Sequence, residues 1–139
     1  NLIIDTEAPV LLDGAGRAAG GERMSEADTA AMPVDWEEGL ARAGDDQEFY
    51  KELLELFLGD VPSRLSALRQ ALAAGDGAWA ASAAHSIKGA AANLSARGVR
   101  EQAYEVETSS RAGELDGLAP KVEALAKEID RLRSFAQQL

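Results

Sequence analysis

One histidine occurs in the chain, His85, within the stretch AAHSIKGAAANLSA that runs from residue 83 to residue 96. Lys88 and Gly89 follow it at the third and fourth positions. On a helix those spacings place both on the histidine's side, one turn along. A neutral imidazole is a competent nucleophile near physiological pH, and an ammonium beside it is placed to stabilise negative charge arriving there. The combination points to a nucleophilic nitrogen at the centre of a docking face.

A helical wheel at about 100° per residue sorts the neighbours. Ile87 and Leu94 fall opposite His85, and Trp79, Ala80, Ala83, Ala90 and Ala91 join them as the expected core face. Ala81 and Ser82 lie one turn back from His85 on the outer side, with Ala92 two turns forward and Asn93 on the flank. Taken alone, surface decoration is the commoner explanation of a lone histidine, and an exposed lysine needs no role. The company these two keep argues otherwise. Exposed helical positions usually favour Glu, Lys or Arg, whereas here they are Ala, Ser and Gly. Gly89 costs a helix about 1 kcal/mol relative to Ala, and close approach of another macromolecule's backbone would offset that cost. The expected docking set is Ala81, Ser82, Gly89, Ala92 and Asn93 around His85 and Lys88. Asn93 is equally readable as a ligand-orienting amide or as a helix-ending residue.

Five helical segments are needed to position this set. Asp35 followed by Glu38 matches a capping box and opens a short helix ending near Gly44. Asp45 and Glu48 repeat that pattern for a longer helix. Its apolar stripe is Phe49, Leu53, Leu56, Phe57, Val61, Leu65, Leu68 and Leu72, and Pro62 predicts a kink or break near Asp60. Asp76 is a cap for the histidine helix, expected over residues 78–94. A fourth helix spans about 96–111 with Val99, Ala103 and Val106 on one stripe, and stops by Gly113. The last begins after Asp116, tolerates Pro120 in its first turn, and carries Leu118, Val122, Leu125, Ile129, Leu132 and Leu139 as its seam. The expected fold is all-α, an antiparallel four-helix bundle with a short additional N-terminal helix. Charge pairs of Glu101 and Glu105 with Arg97 and Arg100 are expected to stabilise the fourth helix, and the two arginines could also rim the docking face.

Composition bounds the alternatives. The chain has 139 residues, enough for one compact domain, with hydrophobic residues at 46% and aromatics at only 5%. Leu- and Ala-rich cores favour helix on helix. A formal charge of −10 argues against nucleic acid as a partner. With no cysteine and one histidine, no metal site is expected. Ser82 and Ser86 flank His85, but no oxyanion device accompanies them. No apolar run reaches the ~18 residues of a membrane span, so no direct membrane contact is expected. Residues 1–32 have clustered glycines and no sustained period, and are expected to be a linker or the tail of a preceding domain, with residues 33–139 forming the bundle. Beginning at Asn1, the chain is expected to be an excerpt of a longer protein.

The string HSIKGAAANL, from His85 to Leu94, resembles the signature of the histidine-containing phosphotransfer domain of bacterial phosphorelays. DQEFYKELLELFLGDVPSRLSALRQAL upstream and RAGELDGLAPKVEALAKEIDRL downstream are similar to the helices flanking that motif, so the resemblance covers Val34 to Phe135. It implies that His85 accepts a phosphoryl group on Nε2, that Lys88 neutralises the phosphoryl oxygens, and that Gly89 clears room for a partner. The implied partner is a response-regulator receiver domain, in cis or trans, whose phospho-aspartate and Mg²⁺ supply most of the catalytic apparatus. The domain itself is expected to bind no cofactor, to be monomeric and cytoplasmic, and to derive from a hybrid sensor histidine kinase or phosphorelay protein. No Walker-type phosphate loop is present, so labelling from ATP is not expected. Ser95 departs from the family pattern, which often has Gly there. Two other readings fit parts of the pattern: the phosphoacceptor domain of a chemotaxis-type kinase, and a helical interaction module that is never phosphorylated.

Overall fold

The computed structural model describes residues 32–139, so the linker expected over 1–32 lies, Met32 apart, outside the described residues. Five helices and no strand occur among the described residues: α1 (Trp36–Arg42), α2 (Gln47–Ala73), α3 (Gly77–Asn93), α4 (Arg97–Arg111) and α5 (Leu118–Gln137). They all lie within one compact unit, Pro33–Gln138. Cross-contacts fix their directions. Tyr50 at the start of α2 bonds Leu94 at the end of α3, while Arg64 further along α2 meets Ser86 further back on α3. His85 meets Glu107 of α4, Ser109 of α4 meets Lys121 of α5, and Arg69 of α2 meets Glu123 of α5. Each neighbour runs against the last and α5 returns to α2, which is the antiparallel four-helix bundle. Its centre holds Leu54, Leu68, Ile87, Val106, Leu125 and Leu132, all without solvent contact.

The helix starts follow short-side-chain chemistry. Asp35, Asp46 and Asp76 each accept a backbone N–H from three residues on, at 3.0–3.1 Å, satisfying a donor the helix cannot. The cap of α2 is thus Asp46 rather than Asp45, which instead adopts a left-handed conformation at φ 61°. Glu38 does not complete a capping box, because its carboxylate accepts from the Ser95 hydroxyl at 2.7 Å. The ends share one device. Backbone N–H groups of Asp45, Asp76, Ala96 and Glu114 reach back five residues to carbonyls at 2.8–2.9 Å, with a left-handed residue just before each. That residue is Gly44, Gly75 and Gly113 in three cases and Ser95, at φ 55°, in the fourth. The turn after Leu94 therefore has the ordinary geometry without the glycine.

Three expectations need correction. Pro62 neither breaks nor ends α2, which is continuous from Gln47 to Ala73. Proline lacks the N–H that would bond Leu58, and Arg133 of α5 points a guanidinium N–H at that carbonyl, at 3.5 Å. The apolar stripe of α2 is also displaced. Tyr50, Leu54 and Leu58 are buried, whereas Phe49 and Leu56 remain 46% and 71% exposed. Tyr50 pins this register: its hydroxyl donates to the Leu94 carbonyl at 2.6 Å, and its ring occupies the space a Cβ on Gly39 would take. Burial, then Asp35 and Glu38, push its phenol pKa up, so it stays a neutral donor. In α5, Ala136 completes the buried seam and Leu139 lies past the helix end, half-buried.

Candidate functional site

The histidine helix is rotated on its axis relative to the wheel. Ala81 and Ala84 are buried with Ala80, Ile87 and Ala91, while Trp79 is 41% exposed and Ala83 and Ala90 are half-buried. Ala81 therefore belongs to the core and leaves the docking set. Lys88 on one edge of α3 is ion-paired with Glu107 of α4, itself 4% exposed, so that edge faces α4 while the Trp79 edge faces solvent.

Glu107 organises the site. Its Oε2 lies 3.0 Å from His85 Nδ1 and 2.7 Å from an Nη of Arg111, whose Nε also donates to it at 3.1 Å. Its Oε1 lies 2.8 Å from Lys88 Nζ. Burial alone would raise the Glu107 pKa, but Lys88, Arg111 and His85, in that order, bond the charged form and hold the carboxyl down at about 2. An ionised carboxylate only accepts hydrogen bonds, so the proton on the imidazole must sit on Nδ1. The lone pair is then on Nε2, on the outer edge of a side chain that is 60% exposed.

Lys88 does not project freely beside the imidazole as the wheel placed it. Its side chain is 25% exposed and ion-paired with Glu107, with the ammonium 5.3 Å from the centre of the Tyr104 ring. Gly89 is exposed, and beyond its own helical turn no atom lies within 4 Å of where its Cβ would be. Nothing inside the bundle demands glycine there. Ser82 and Asn93 are exposed and Ala92 half-buried, so they share the accessible face with His85 and Gly89. On the α2 flank, Arg64 bonds both Asp60 and the hydroxyl of Ser86, adding a cation next to the histidine turn.

Glu107, Arg111 and Arg64 were not anticipated from the sequence. Arg97 pairs with Asp35 at 3.8 Å and Glu105 with Lys121 at 3.7 Å, not with each other's neighbours on α4. Among the described residues no cluster of His, Cys, Asp and Glu is arranged to hold a metal ion, and no helix is long and apolar enough to cross a membrane.

The chain is thus an up-and-down bundle that holds one oriented imidazole on its outer surface. The chain belongs to the Hpt domain family, whose model matches residues 52–135. It is similar to histidine-containing phosphotransfer protein B (HptB) from Pseudomonas aeruginosa PAO1 at 30% identity, with a TM-score of 0.71, covering 78% of this chain and 94% of that one. The HPT domain of the Hpt sensor hybrid histidine kinase from Shewanella shares the fold, at 21% identity and a TM-score of 0.64 over 76% of this chain and 92% of that one. No curated protein sequence matches it. Membership of the family gives the chain a phosphotransfer role in two-component signalling, as a module that is not an ATP-binding kinase.

Proposed function

We propose that His85 accepts a phosphoryl group from the phospho-aspartate of a receiver domain and passes it to an aspartate of another. The supporting observation is the His85–Glu107 bond, which keeps the Nδ1 proton in place and directs the Nε2 lone pair outward. In the forward step Nε2 attacks phosphorus, the Nε2–P bond forms, and the acyl-phosphate P–O bond breaks to release the aspartate carboxylate. The Nδ1–H stays on the ring against Glu107, so no proton need leave. Such transfer rests on positioning and charge stabilisation. The chain supplies Lys88 for the phosphoryl oxygens, and Mg²⁺ belongs to the receiver. Ser82, Gly89, Ala92 and Asn93 form the surface on which receiver loops settle. On this reading the domain acts in the cytoplasm, alongside its receivers.

Incubation with a panel of phosphorylated receivers tests this reading. Wild-type protein becomes labelled in an acid-labile, base-stable form, and His85→Gln does not. Equal labelling of both proteins would sink the proposal. Labelling by ATP alone would count against a module without an ATP site of its own.

A further inference from the structure

Lys88 is expected to face the phosphoryl group, yet its ammonium is held by a buried carboxylate that also serves His85 and Arg111. One carboxylate here meets both an ammonium and a guanidinium beside the imidazole. Phosphorylation of His85 brings about two negative charges to its outer nitrogen. Nζ and Nδ1 bind the two oxygens of one carboxylate, so the ammonium lies a carboxylate's width from the imidazole edge. A turn of Lys88 toward phosphoryl oxygens on the outer nitrogen draws its ammonium away from Oε1 of Glu107. A buried carboxylate stripped of its counter-charge is strongly unfavourable, so something must stay behind.

We propose that Arg111 is that reserve: it remains on Glu107 and so releases Lys88 to the phosphoryl group. Its guanidinium grips Oε2 through both Nε and Nη2, at 3.1 and 2.7 Å. Glu107 thereby keeps a counter-charge on Oε2 after Oε1 loses Lys88. Arg111 is a positioning residue, acting through Glu107 and Lys88 and not by touching phosphate. The inference rests on the phosphoacceptor reading of His85.

The test uses phosphoramidate as donor, so that no partner protein is involved. The donor P–N bond breaks, ammonia leaves and the Nε2–P bond forms. Initial labelling rates are measured for wild type, Arg111→Gln, Glu107→Gln and the double variant, on the full chain. Arg111→Gln slows labelling roughly fivefold, within the range for coupled side chains. It has little further effect in the Glu107→Gln background, where no carboxylate holds Lys88. Arg111→Lys, which keeps a cation near Glu107, recovers most of the lost rate. Equal slowing in both backgrounds would mean that Arg111 touches phosphate or only stabilises the end of α4, and overturns the inference. Absence of any effect overturns it as well. Failure of the wild type to label at His85 would remove the phosphoacceptor reading itself, an outcome distinct from a labelled wild type indifferent to Arg111.

Discussion

Gly89 separates folding from function at the scale of one residue. It lies in the interior of α3 with open space on the side where a Cβ would point, so nothing within the bundle excludes alanine. Gly89→Ala should therefore stabilise the fold by about 1 kcal/mol, read as a higher urea midpoint. A longer side chain should obstruct the receiver. Gly89→Gln is expected to slow transfer from a phosphorylated receiver roughly tenfold, equivalent to ~1.4 kcal/mol of docking energy, while slowing phosphoramidate labelling far less. Equal slowing with both donors would assign Gly89 to the chemistry and not to docking. That His85, Lys88 and Gly89 share one helix was legible in their spacing, although the direction of the Lys88 side chain was not. Glu107 was not: it is 22 residues from His85 on the next helix, one carboxylate among many in an acidic chain. Only its burial distinguishes it, and burial is a property of the packed bundle.

Among the elements, the α3–α4 turn shows how one position can satisfy two requirements. Ser95 adopts φ 55°, which costs a non-glycine residue roughly 1–2 kcal/mol, and its hydroxyl donates to Glu38 of α1 at 2.7 Å. A hydrogen bond of this kind contributes about 1 kcal/mol or somewhat more, so the two effects nearly cancel. Ser95→Gly should be close to neutral, since relief of strain offsets the lost bond. Ser95→Ala should lose about 1 kcal/mol or more, because it keeps the strain and drops the bond. Urea unfolding midpoints decide the order, and a glycine variant less stable than the alanine variant would refute this account. The departure from glycine visible in the sequence thus changes what stabilises the turn without changing its path. Helix existence, the Asp35 and Asp76 caps and the α4 stripe were readable for a similar local reason. The rotations of α2 and α3 were not, because they go with contacts between helices, such as Tyr50 with Leu94 and Lys88 with Glu107. The carbonyl that Pro62 leaves without its helical donor is likewise met from afar, by Arg133, 71 residues from the proline in sequence.

At the scale of the whole molecule, the cluster that orients His85 also ties α3 to α4, so global stability should carry its titration. Glu107 has a folded pKa of about 2 against an ordinary 4.5, the lowering coming from Lys88, Arg111 and His85 against the opposing effect of burial. Below pH 4.5 the unfolded chain takes up a proton at this position while the folded chain does not, so acid favours unfolding. The carboxylate's contribution is complete above its unfolded pKa and is lost as pH falls from about 4.5 to about 2. Other carboxylates also contribute to acid sensitivity, so the informative quantity is a difference between proteins. Glu107→Gln cannot titrate at this position, and its stability should fall less steeply than the wild type's between pH 4.5 and pH 2. At pH 7 the wild type should be the more stable of the two, because the amide leaves Lys88 and Arg111 without their shared counter-charge. Urea unfolding across this range measures both the gap and its closure. Parallel curves for the two proteins would show that Glu107 titrates alike in folded and unfolded chains, and would remove the basis for an always-ionised carboxylate holding the Nδ1 proton of His85.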